Sequence, residues 1–570
     1  MPPARSPSAR RLCLIALAAI VAWAVLARAQ TTGRNVRPVS DAMLQQPEPG
    51  DWLSWRRTLD GTGYSPLREI TRENVATLQA VWSRDLLTPG TNYPAPLVHD
   101  GVMYLPNPGG IQALDGTTGV VLWEYKRPVS RRNIAIYGDK IFLTTGNAHV
   151  VALDARSGSV AWDTTVGDPA GKRFGFSSGP IIAAGRVVSG MTGCGRYQED
   201  TCYIVAHDAA TGRELWRTST IARPGEPGDS TWGGAPLMFR AGGEPWMPGS
   251  YDATSGLVYW GTAQAKPWAA AQRGTGDLGL LYTNSTLALS PETGKIRWYF
   301  QHIPGESHDM DEAFESVLVD RGRRRSIFRM GKVGVLWELD RDTGAFLGAH
   351  DLGYQTLLDV DPKTGRATYR PGKVPRIGAS VEYCPGPGGF KTMWSMAYHP
   401  DTHTFIVPLN MTCVRSVFEE ESRTAGGGGN GPVTRKALPH PASPDNIGRL
   451  AAIDPQTGAV QWMHDERFPY NTAVLTTGGG LAFVADWTGT VYAHDVATGR
   501  VLWRGRLPGP GQGWPITYAV AGRQYLAVPS GPGSTFGVIG MADLHPEVPP
   551  SRARMAVHVF ALPRDAPPQH

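Results

Sequence analysis

Apolar and polar residues alternate in short runs along most of the chain, and one eleven-residue pattern recurs among these runs. The pattern reads Ala-x-Asp-x-x-Thr-Gly-x-x-x-Trp, with small variations between copies. One copy, beginning at Glu338, lacks the tryptophan, and six others end at Trp123, Trp162, Trp216, Trp298, Trp462 and Trp503. Because alternation with a period of two is typical of a half-buried strand, each copy predicts two antiparallel strands joined by a tight turn.

The residue types in the pattern have separate roles in such a hairpin. The aspartate accepts hydrogen bonds from amides of the turn, and the glycine adopts the positive φ that the turn requires. The tryptophan on the returning strand is large enough to pack between neighbouring sheets. One hairpin cannot bury its own apolar face, but repeats arranged in a ring can, so the repeat predicts a β-propeller.

We expect an all-β, eight-bladed β-propeller with tryptophan-containing repeats. Seven blades correspond to the seven copies of the pattern. The eighth would combine both ends of the chain, with Val81 and Trp82 on one side and the apolar residues 557–562 as the closing strand.

The copies are unevenly spaced, which predicts insertions. Asp115 and Asp154 are 39 positions apart, whereas Asp340 and Asp454 are 114 positions apart. We therefore expect a long insertion within residues 354–444 that reaches over one face of the ring.

The first thirty residues have the features of an export signal. Positive charges precede an unbroken apolar run over residues 12–26, and Ala27-Arg28-Ala29 follows as a small-x-small cleavage pattern. The run is shorter than the roughly 18 to 20 apolar residues of a membrane span. Residues 1–29 are therefore predicted to be a cleaved signal peptide and 30–570 one propeller domain in the periplasm; an uncleaved anchor is the alternative.

Removal of this segment changes the electrostatic argument. The whole chain has a formal net charge of +5, and residues 1–29 contain four arginines and no acidic residue, which leaves +1 for the mature protein. A nearly neutral domain offers no electrostatic basis for nucleic-acid binding.

The cysteines favour an oxidising compartment. Cys13 lies in the predicted signal peptide, so Cys194, Cys202, Cys384 and Cys413 remain. An even number in an exported chain predicts disulfides. Cys194–Cys202 is the local pairing and Cys384–Cys413 would close a longer loop, while the other pairings stay open. No Cys-x-x-Cys-His occurs, so no c-type haem is expected on this chain.

The repeats, together with the segments at residues 55–82 and 513–531, resemble the alcohol dehydrogenases that depend on pyrroloquinoline quinone (PQQ). The resemblance implies oxidation of an alcohol or polyol hydroxyl to a carbonyl. It also implies PQQ and Ca²⁺, or a lanthanide, as cofactors. Since no haem is expected, electrons would pass to a separate cytochrome c or to a membrane quinone.

The same resemblance assigns the catalytic residues. Asp309, in His308-Asp309-Met310-Asp311, matches the carboxylate that removes the hydroxyl proton. Lys332 matches a cation beside the quinone oxygens, where it would stabilise developing charge. Asp309, Asp311 and Gln264 are the implied metal ligands, and Asp311 by itself does not select calcium or a lanthanide.

Four further residues are implied to bind the cofactor. Trp232 matches the tryptophan on which the PQQ ring stacks, and Thr231 beside it is a second contact. Arg132 matches an arginine for a PQQ carboxylate, since a guanidinium can bind a carboxylate in bidentate fashion. Ser177 stands where relatives have a hydroxyl residue near the cofactor.

The chain also departs from the family pattern at several positions. Lys126-Arg127 aligns with a vicinal cysteine pair, Gly195 with a glutamate that binds calcium, and Gln264 with an asparagine ligand. Tyr93 and Thr392 replace a glutamate and an asparagine near the cofactor. These departures indicate a divergent subgroup.

Two other functional classes are compatible with the same fold. A cofactor-free propeller could act as a binding or assembly scaffold, and the lost cysteine pair and glutamate favour that alternative. The aromatic content would also suit a carbohydrate-binding propeller, but no sugar motif is present. The joint presence of Asp309, Lys332, Trp232 and Arg132 favours the enzyme.

Overall fold

The computed structural model describes residues 36–87, 93–130, 132–167, 174–533 and 540–564. The predicted signal peptide, residues 1–29, and Arg131 lie outside these ranges. Within them, none of the helices combines the length and the apolar character needed to cross a membrane.

Eight antiparallel sheets, each with four blade strands, contain most of the described strand residues. The first four sheets comprise Leu97–His99, Val102–Asn107, Gly110–Asp115 and Val121–Lys126; Ala135–Tyr137, Lys140–Thr144, His149–Asp154 and Val160–Thr165; Ile181–Ala183, Arg186–Thr192, Tyr203–Asp208 and Glu214–Ser219; and Ser250–Asp252, Leu257–Gly261, Ser285–Leu289 and Ile296–Gln301. The next three comprise Val317–Arg321, Arg324–Met330, Val335–Asp340 and Phe346–Asp351; Ala397–His399, Thr404–Asn410, Gly448–Ile453 and Val460–Glu466; and Leu475–Thr477, Leu481–Ala485, Thr490–Asp495 and Val501–Arg506.

The last sheet joins the two ends of the chain, as expected from the sequence. Gln79–Asp85 pairs antiparallel with Ala556–Ala561, and Trp82 lies opposite Val559. Ile516–Val520 and Arg523–Ser530 complete this sheet. Strand pairing between residues so far apart in sequence closes the ring.

In six blades the tryptophan of the repeat links the sheet to the next one. Trp123 Nε1 donates a hydrogen bond of 3.1 Å to the carbonyl of Ala155 in the following sheet, and Trp162 Nε1 does the same to Ala209. Trp216, Trp298, Trp462 and Trp503 repeat this contact with Pro291, Arg341, Val496 and Leu78. The indole thus buries its apolar surface between sheets and still satisfies its one donor.

The turn residues have the predicted roles. Asp115 Oδ1 accepts the amides of Thr117 and Thr118 at 2.9 and 3.0 Å. Gly158 has a φ of 71°, and a Cβ at that position would lie 2.4 Å from the Trp123 ring. Glycine is therefore required here both by the backbone and by the neighbouring indole.

The insertions supply the remaining elements. Short strands occur at Tyr64–Ser65, Gly175–Phe176, Ala241–Gly242, Ala265–Lys266, Leu358–Val360 and Ala367–Tyr369. Helices are short, at Asp41–Gln45, Ala270–Arg273 and Met541–Leu544, with 3₁₀ turns at Val75–Thr77, Asp229–Trp232 and Leu237–Phe239. A three-stranded sheet, which we call the inserted sheet, consists of Ser380–Tyr383, Thr412–Phe418 and Val433–Pro439.

The region expected to be one insertion, residues 354–444, is divided in the structure. Ala397–His399 and Thr404–Asn410 within it belong to a blade, because they pair with the blade strands that follow. The inserted sheet is built from the segments on either side of them.

Both disulfides form as the preferred pairing predicted. Cys194 bonds to Cys202, and Cys384 bonds to Cys413. The second bond ties the end of Ser380–Tyr383 to Thr412–Phe418, so it fastens two strands of the inserted sheet to each other.

Candidate active site

Two carboxylates and one ammonium group form the centre of the site. Asp309 and Asp311 lie in the irregular segment after Ile296–Gln301, and Lys332 lies in the turn between Arg324–Met330 and Val335–Asp340. Lys332 Nζ lies 3.1 Å from Asp309 Oδ2 and 3.1 Å from Asp311 Oδ2. The structure thus brings together three residues that the sequence analysis had singled out.

Gln264 completes this cluster. Its Nε2 donates a 2.6 Å hydrogen bond to Asp309 Oδ1, and its backbone amide approaches Asp311 Oδ1 at 3.4 Å. Its Oε1 is buried and has no hydrogen-bond partner among the described residues. A buried carbonyl oxygen without a donor is costly, and such an oxygen is the type of ligand that Ca²⁺ prefers.

The charges of the cluster stabilise each other. Burial raises the pKa of the Asp311 carboxyl, and the charge of Lys332 opposes that rise. For Lys332, burial lowers the pKa, but the charges of Asp309 and Asp311 outweigh burial and raise it above the ordinary value. The raised pKa favours the charged form of Lys332 next to the two acids.

The backbone of Asp309 is held in an unusual conformation. Its φ is 75°, which costs a residue with a side chain about 1–2 kcal/mol. The carboxylate of Glu306 accepts the amides of His308 at 2.5 Å and of Asp309 at 3.1 Å, so it closes the turn that aims Asp309 at Lys332. Burial raises the pKa of Glu306 to about 7, and the hydrogen bond from the His308 amide opposes this shift.

Glu306 escaped the sequence analysis, although its spacing from Asp309 could have indicated it. An acid three residues before a strained residue can accept the turn amides, as aspartate does in the repeat. Its Oε1 also lies 3.2 Å from the hydroxyl of Tyr369, which accepts the Ser307 amide at 2.8 Å.

Arg132 lies against Trp246 and Tyr93. Its guanidinium carbon is 4.8 Å from the centre of the Trp246 ring and 5.9 Å from that of Tyr93, and its Nη1 donates to the carbonyl of Ser177 at 2.6 Å. Trp246 is only partly buried. This contact uses the backbone carbonyl of Ser177 and not its hydroxyl group.

The segment before Trp246 runs beside Gln264. The amide of Gly243 donates to the Gln264 carbonyl at 3.1 Å, and the amide of Ala263 donates to the Glu244 carbonyl at 3.0 Å. The segment that leads to Trp246 is therefore joined by backbone hydrogen bonds to Gln264, and Arg132 contacts Trp246 through its guanidinium.

Trp232 and Thr231 lie in other surroundings. Trp232 is 2% exposed, its Nε1 donates to the Leu281 carbonyl at 2.6 Å, and the Arg240 guanidinium lies 5.7 Å above its ring. Thr231 Oγ1 donates to the Gly228 carbonyl at 2.6 Å and accepts the Leu281 amide at 2.9 Å. These contacts fix one local turn, and none of the described contacts links either residue to Asp309.

The positions that depart from the family pattern are also placed. Lys126 is 73% exposed, and Arg127 pairs with Asp163 at 2.6 Å on the outer strands of two blades. A Cβ at Gly195 would lie 3.7 Å from the carboxylate oxygens of Glu244. Glu244, two residues before Trp246, thus places a carboxylate beside Gly195, the position that aligns with the calcium-binding glutamate of the family.

Comparisons with known proteins identify the family. A family model for the β-propeller domain of PQQ-dependent glucose, ethanol and alcohol dehydrogenases matches residues 52–348 and 467–526. This chain belongs to the PQQ-dependent alcohol dehydrogenase family. It is 30% identical to quinohemoprotein alcohol dehydrogenase ADH IIB of Pseudomonas putida, over 92% of this chain and 79% of that protein. It is 31% identical to quinoprotein alcohol dehydrogenase PedH of Pseudomonas putida, over 88% of this chain and 89% of that protein.

Solved structures of PQQ-dependent dehydrogenases resemble this fold closely. A europium-containing methanol dehydrogenase matches with a TM-score of 0.81 and 27% identity, covering 91% of this chain and 99% of that one. The quinohemoprotein alcohol dehydrogenase of Comamonas testosteroni matches with a TM-score of 0.80 and 26% identity, covering 91% and 83%. The predictions of the family, of a β-propeller fold and of an oxidoreductase are confirmed.

Membership in the PQQ-dependent family implies PQQ and a metal ion, and the residues present fit both. PQQ is a flat ring system with three carboxylates, and Trp246 offers a partly exposed ring with the Arg132 cation over one of its faces. A hard cation such as Ca²⁺ prefers oxygen ligands, and the buried Oε1 of Gln264 lies in the same cluster as Asp309 and Asp311.

Proposed function

We propose that this protein oxidises the hydroxyl group of an alcohol or polyol to a carbonyl with PQQ as the oxidant. The observation that carries the proposal is the cluster of Asp309, Lys332 and Gln264, in which one carboxylate is shared by a buried cation and an amide. When bound, PQQ supplies the two-electron oxidant that takes hydride from the alcohol carbon.

In this proposal Asp309 is the general base that takes the hydroxyl proton. Its ionised form is supported by Lys332 at 3.1 Å and by the Gln264 amide at 2.6 Å. Lys332 has a second role: its buried charge stabilises negative charge that develops on a quinone oxygen. Burial of these groups excludes water and strengthens both effects.

We assign the cofactor platform to Trp246 in preference to Trp232. A ring on which a cofactor stacks must present a face, and Trp246 is partly exposed whereas Trp232 is enclosed. Arg132, whose guanidinium lies over one face of that ring, would bind a PQQ carboxylate. Thr231 and Ser177 remain predicted cofactor contacts; Ser177 is favoured by its contact with Arg132.

For the metal we propose Ca²⁺ or a lanthanide held by Asp309, Asp311 and Gln264. Two carboxylates and an amide oxygen are hard ligands, which suits either ion. The europium-containing relative shows that proteins of this fold can hold a lanthanide.

Electrons would leave through a separate cytochrome c or a membrane quinone, and the protein would act in the periplasm after removal of residues 1–29. The periplasmic location is supported by the four cysteines that remain without residues 1–29, because they form two disulfides, as expected of an exported protein. The domain would span residues 30–570.

Reconstitution tests the proposal directly. Purified protein is incubated with PQQ and either CaCl₂ or LaCl₃, and primary alcohols are supplied with an artificial electron-accepting dye. We expect alcohol-dependent dye reduction that D309N abolishes, while D359N, on an exposed strand, serves as the matched control. PQQ binding without any alcohol oxidation, or equal activity of D309N, would refute the assignment, and absence of PQQ binding would favour the scaffold alternative.

Binding of PQQ by itself distinguishes the two tryptophans. In a titration followed by quenching of protein fluorescence, W246A should weaken PQQ binding at least tenfold, whereas W232A should alter stability more than affinity. The opposite pattern would restore Trp232 as the platform.

A further inference from the structure

The inserted sheet brings an arginine to the catalytic cluster. Arg435 lies on Val433–Pro439, the strand of the inserted sheet that pairs with Thr412–Phe418. Arg435 therefore lies in the inserted sheet and not in a blade of the propeller.

Arg435 is held by a cation–π contact and a hydrogen bond. Its guanidinium carbon lies 4.2 Å from the centre of the Trp268 ring, a cation–π distance. Its Nη2 donates a 3.0 Å hydrogen bond to the carbonyl of His308, the residue before Asp309. With 15% of its side chain exposed, it is largely desolvated yet still reachable from solvent.

Part of the guanidinium is not used by these contacts. The nearest carboxylate oxygen described for it, Asp309 Oδ2, is 3.8 Å from Nη1, which is too long for a hydrogen bond. Its Nε is buried and has no partner among the described residues. Asp309 is already satisfied by Lys332 and Gln264, so it does not require Arg435 as a counterion.

A second cation, Lys266, lies over the ring of Trp268. Lys266 Nζ lies 5.1 Å from the centre of the Trp268 ring and donates to Asn430 Oδ1 at 2.7 Å. Asn430 comes from the loop that precedes the Arg435 strand, and its carbonyl accepts the Trp268 amide at 3.2 Å. This part of the site is therefore lined by two fixed positive charges.

We propose that Arg435 determines substrate specificity by binding an anionic group, a carboxylate, on the alcohol that Asp309 deprotonates. The inference rests on the proposed function and narrows its substrate to hydroxy acids. A guanidinium offers N–H donors that match a carboxylate, and Nη1 of Arg435 lies 3.8 Å from Asp309 Oδ2 without a hydrogen bond to any described residue. The substrate carboxylate would accept from Nη1, the guanidinium nitrogen that faces Asp309.

The test compares two four-carbon primary alcohols, one of which ends in a carboxylate and the other in a methyl group. Reconstituted holoenzyme is assayed with 4-hydroxybutanoate and with 1-butanol, and kcat/KM is measured for the wild type, R435Q, R435K and R415Q. Arg415 lies on the neighbouring strand, is exposed and pairs with Glu382, so R415Q is the matched control. We expect the wild type to prefer 4-hydroxybutanoate and R435Q to reduce the ratio of the two kcat/KM values about 10- to 100-fold.

Three results would overturn the inference. The first is a wild-type ratio near one. The second is a parallel fall for both substrates in R435Q, which would mean that Arg435 acts on Asp309. The third is a weaker affinity of R435Q for PQQ in the fluorescence titration, which would assign the guanidinium to the cofactor. If the wild type oxidises neither alcohol, the proposed function fails as well; oxidation of both without preference refutes only the role of Arg435.

A measurement on the wild type is independent of variant folding. Butanoate should inhibit 1-butanol oxidation competitively, and butyramide, its uncharged counterpart, should inhibit at least tenfold more weakly. Equal inhibition by the two compounds would also overturn the inference.

Discussion

Removal of the buried ammonium of Lys332 is expected to destabilise the protein and to inactivate it. Lys332 Nζ contacts Asp309 and Asp311 at 3.1 Å each, and all three groups are largely buried. In K332M the side chain keeps its approximate volume, so the change is mainly electrostatic: two carboxylates remain close together without the cation between them.

The magnitude follows from the burial of the pair. Breaking a buried ion pair by removal of one partner costs about 3–5 kcal/mol, because the remaining charge is desolvated and uncompensated. Here two acids lose the same partner, so we expect the upper part of that range. Part of the loss should be recovered in K332M/D311N, since the second substitution removes one of the stranded charges.

Urea unfolding of the protein without added PQQ or metal, followed by tryptophan fluorescence at constant pH, measures these free energies. K126M is the control, because Lys126 is 73% exposed and its pair with Glu124 should contribute at most about 1 kcal/mol. If K332M unfolds within about 1 kcal/mol of the wild type, or if D311N recovers nothing in the double variant, the electrostatic account of the cluster is wrong.

Three further outcomes are expected. E306A should lower kcat at least tenfold, because the two turn amides that position Asp309 lose their acceptor. E306Q keeps an acceptor oxygen and should retain more activity. Steady-state kinetics in which E306A matched the wild type would contradict this. G158A should lower the thermal midpoint of unfolding clearly more than G138A. Both glycines have a positive φ, but only at Gly158 would a Cβ clash with an indole ring. Equal shifts of the midpoint would show that this clash does not contribute. Burial lowers the pKa of His207 to about 4, below its value of about 6.5 in an unfolded chain. The unfolded state therefore binds the proton first, so the free energy of unfolding falls as the pH drops from about 6.5 to 4, by about 2 kcal/mol at pH 5. A urea midpoint whose decline from pH 7 to pH 5 is unchanged in H207L would refute this account.

The propeller could be predicted from the sequence because its determinants are local and repeated. Each hairpin carries its own aspartate, glycine and tryptophan within eleven residues, so the turn and the interface with the next sheet are encoded in one short segment. The closing pair of Trp82 and Val559 could be inferred as well, since a ring of repeats leaves a strand unpaired at each end. The disulfides agreed with the preferred pairing for a similar reason: few cysteines leave few choices.

The catalytic centre could be predicted only where its residues stand in a recognisable segment. Asp309, Asp311 and Lys332 were found in this way, and the fold brings them within ion-pair distance. Gln264 was found through its place in a short motif near Pro267-Trp268.

Only the tertiary structure decided which residues surround that centre. Trp246 has no local signal that separates it from Trp232, and the difference is that its segment pairs with Gln264 while Trp232 is enclosed by another turn. Arg435 is 126 positions from Asp309 and comes from an insertion without repeat character. Contacts of this kind depend on how separate loops pack over the same face of the ring, and no short-range pattern in the sequence encodes that packing.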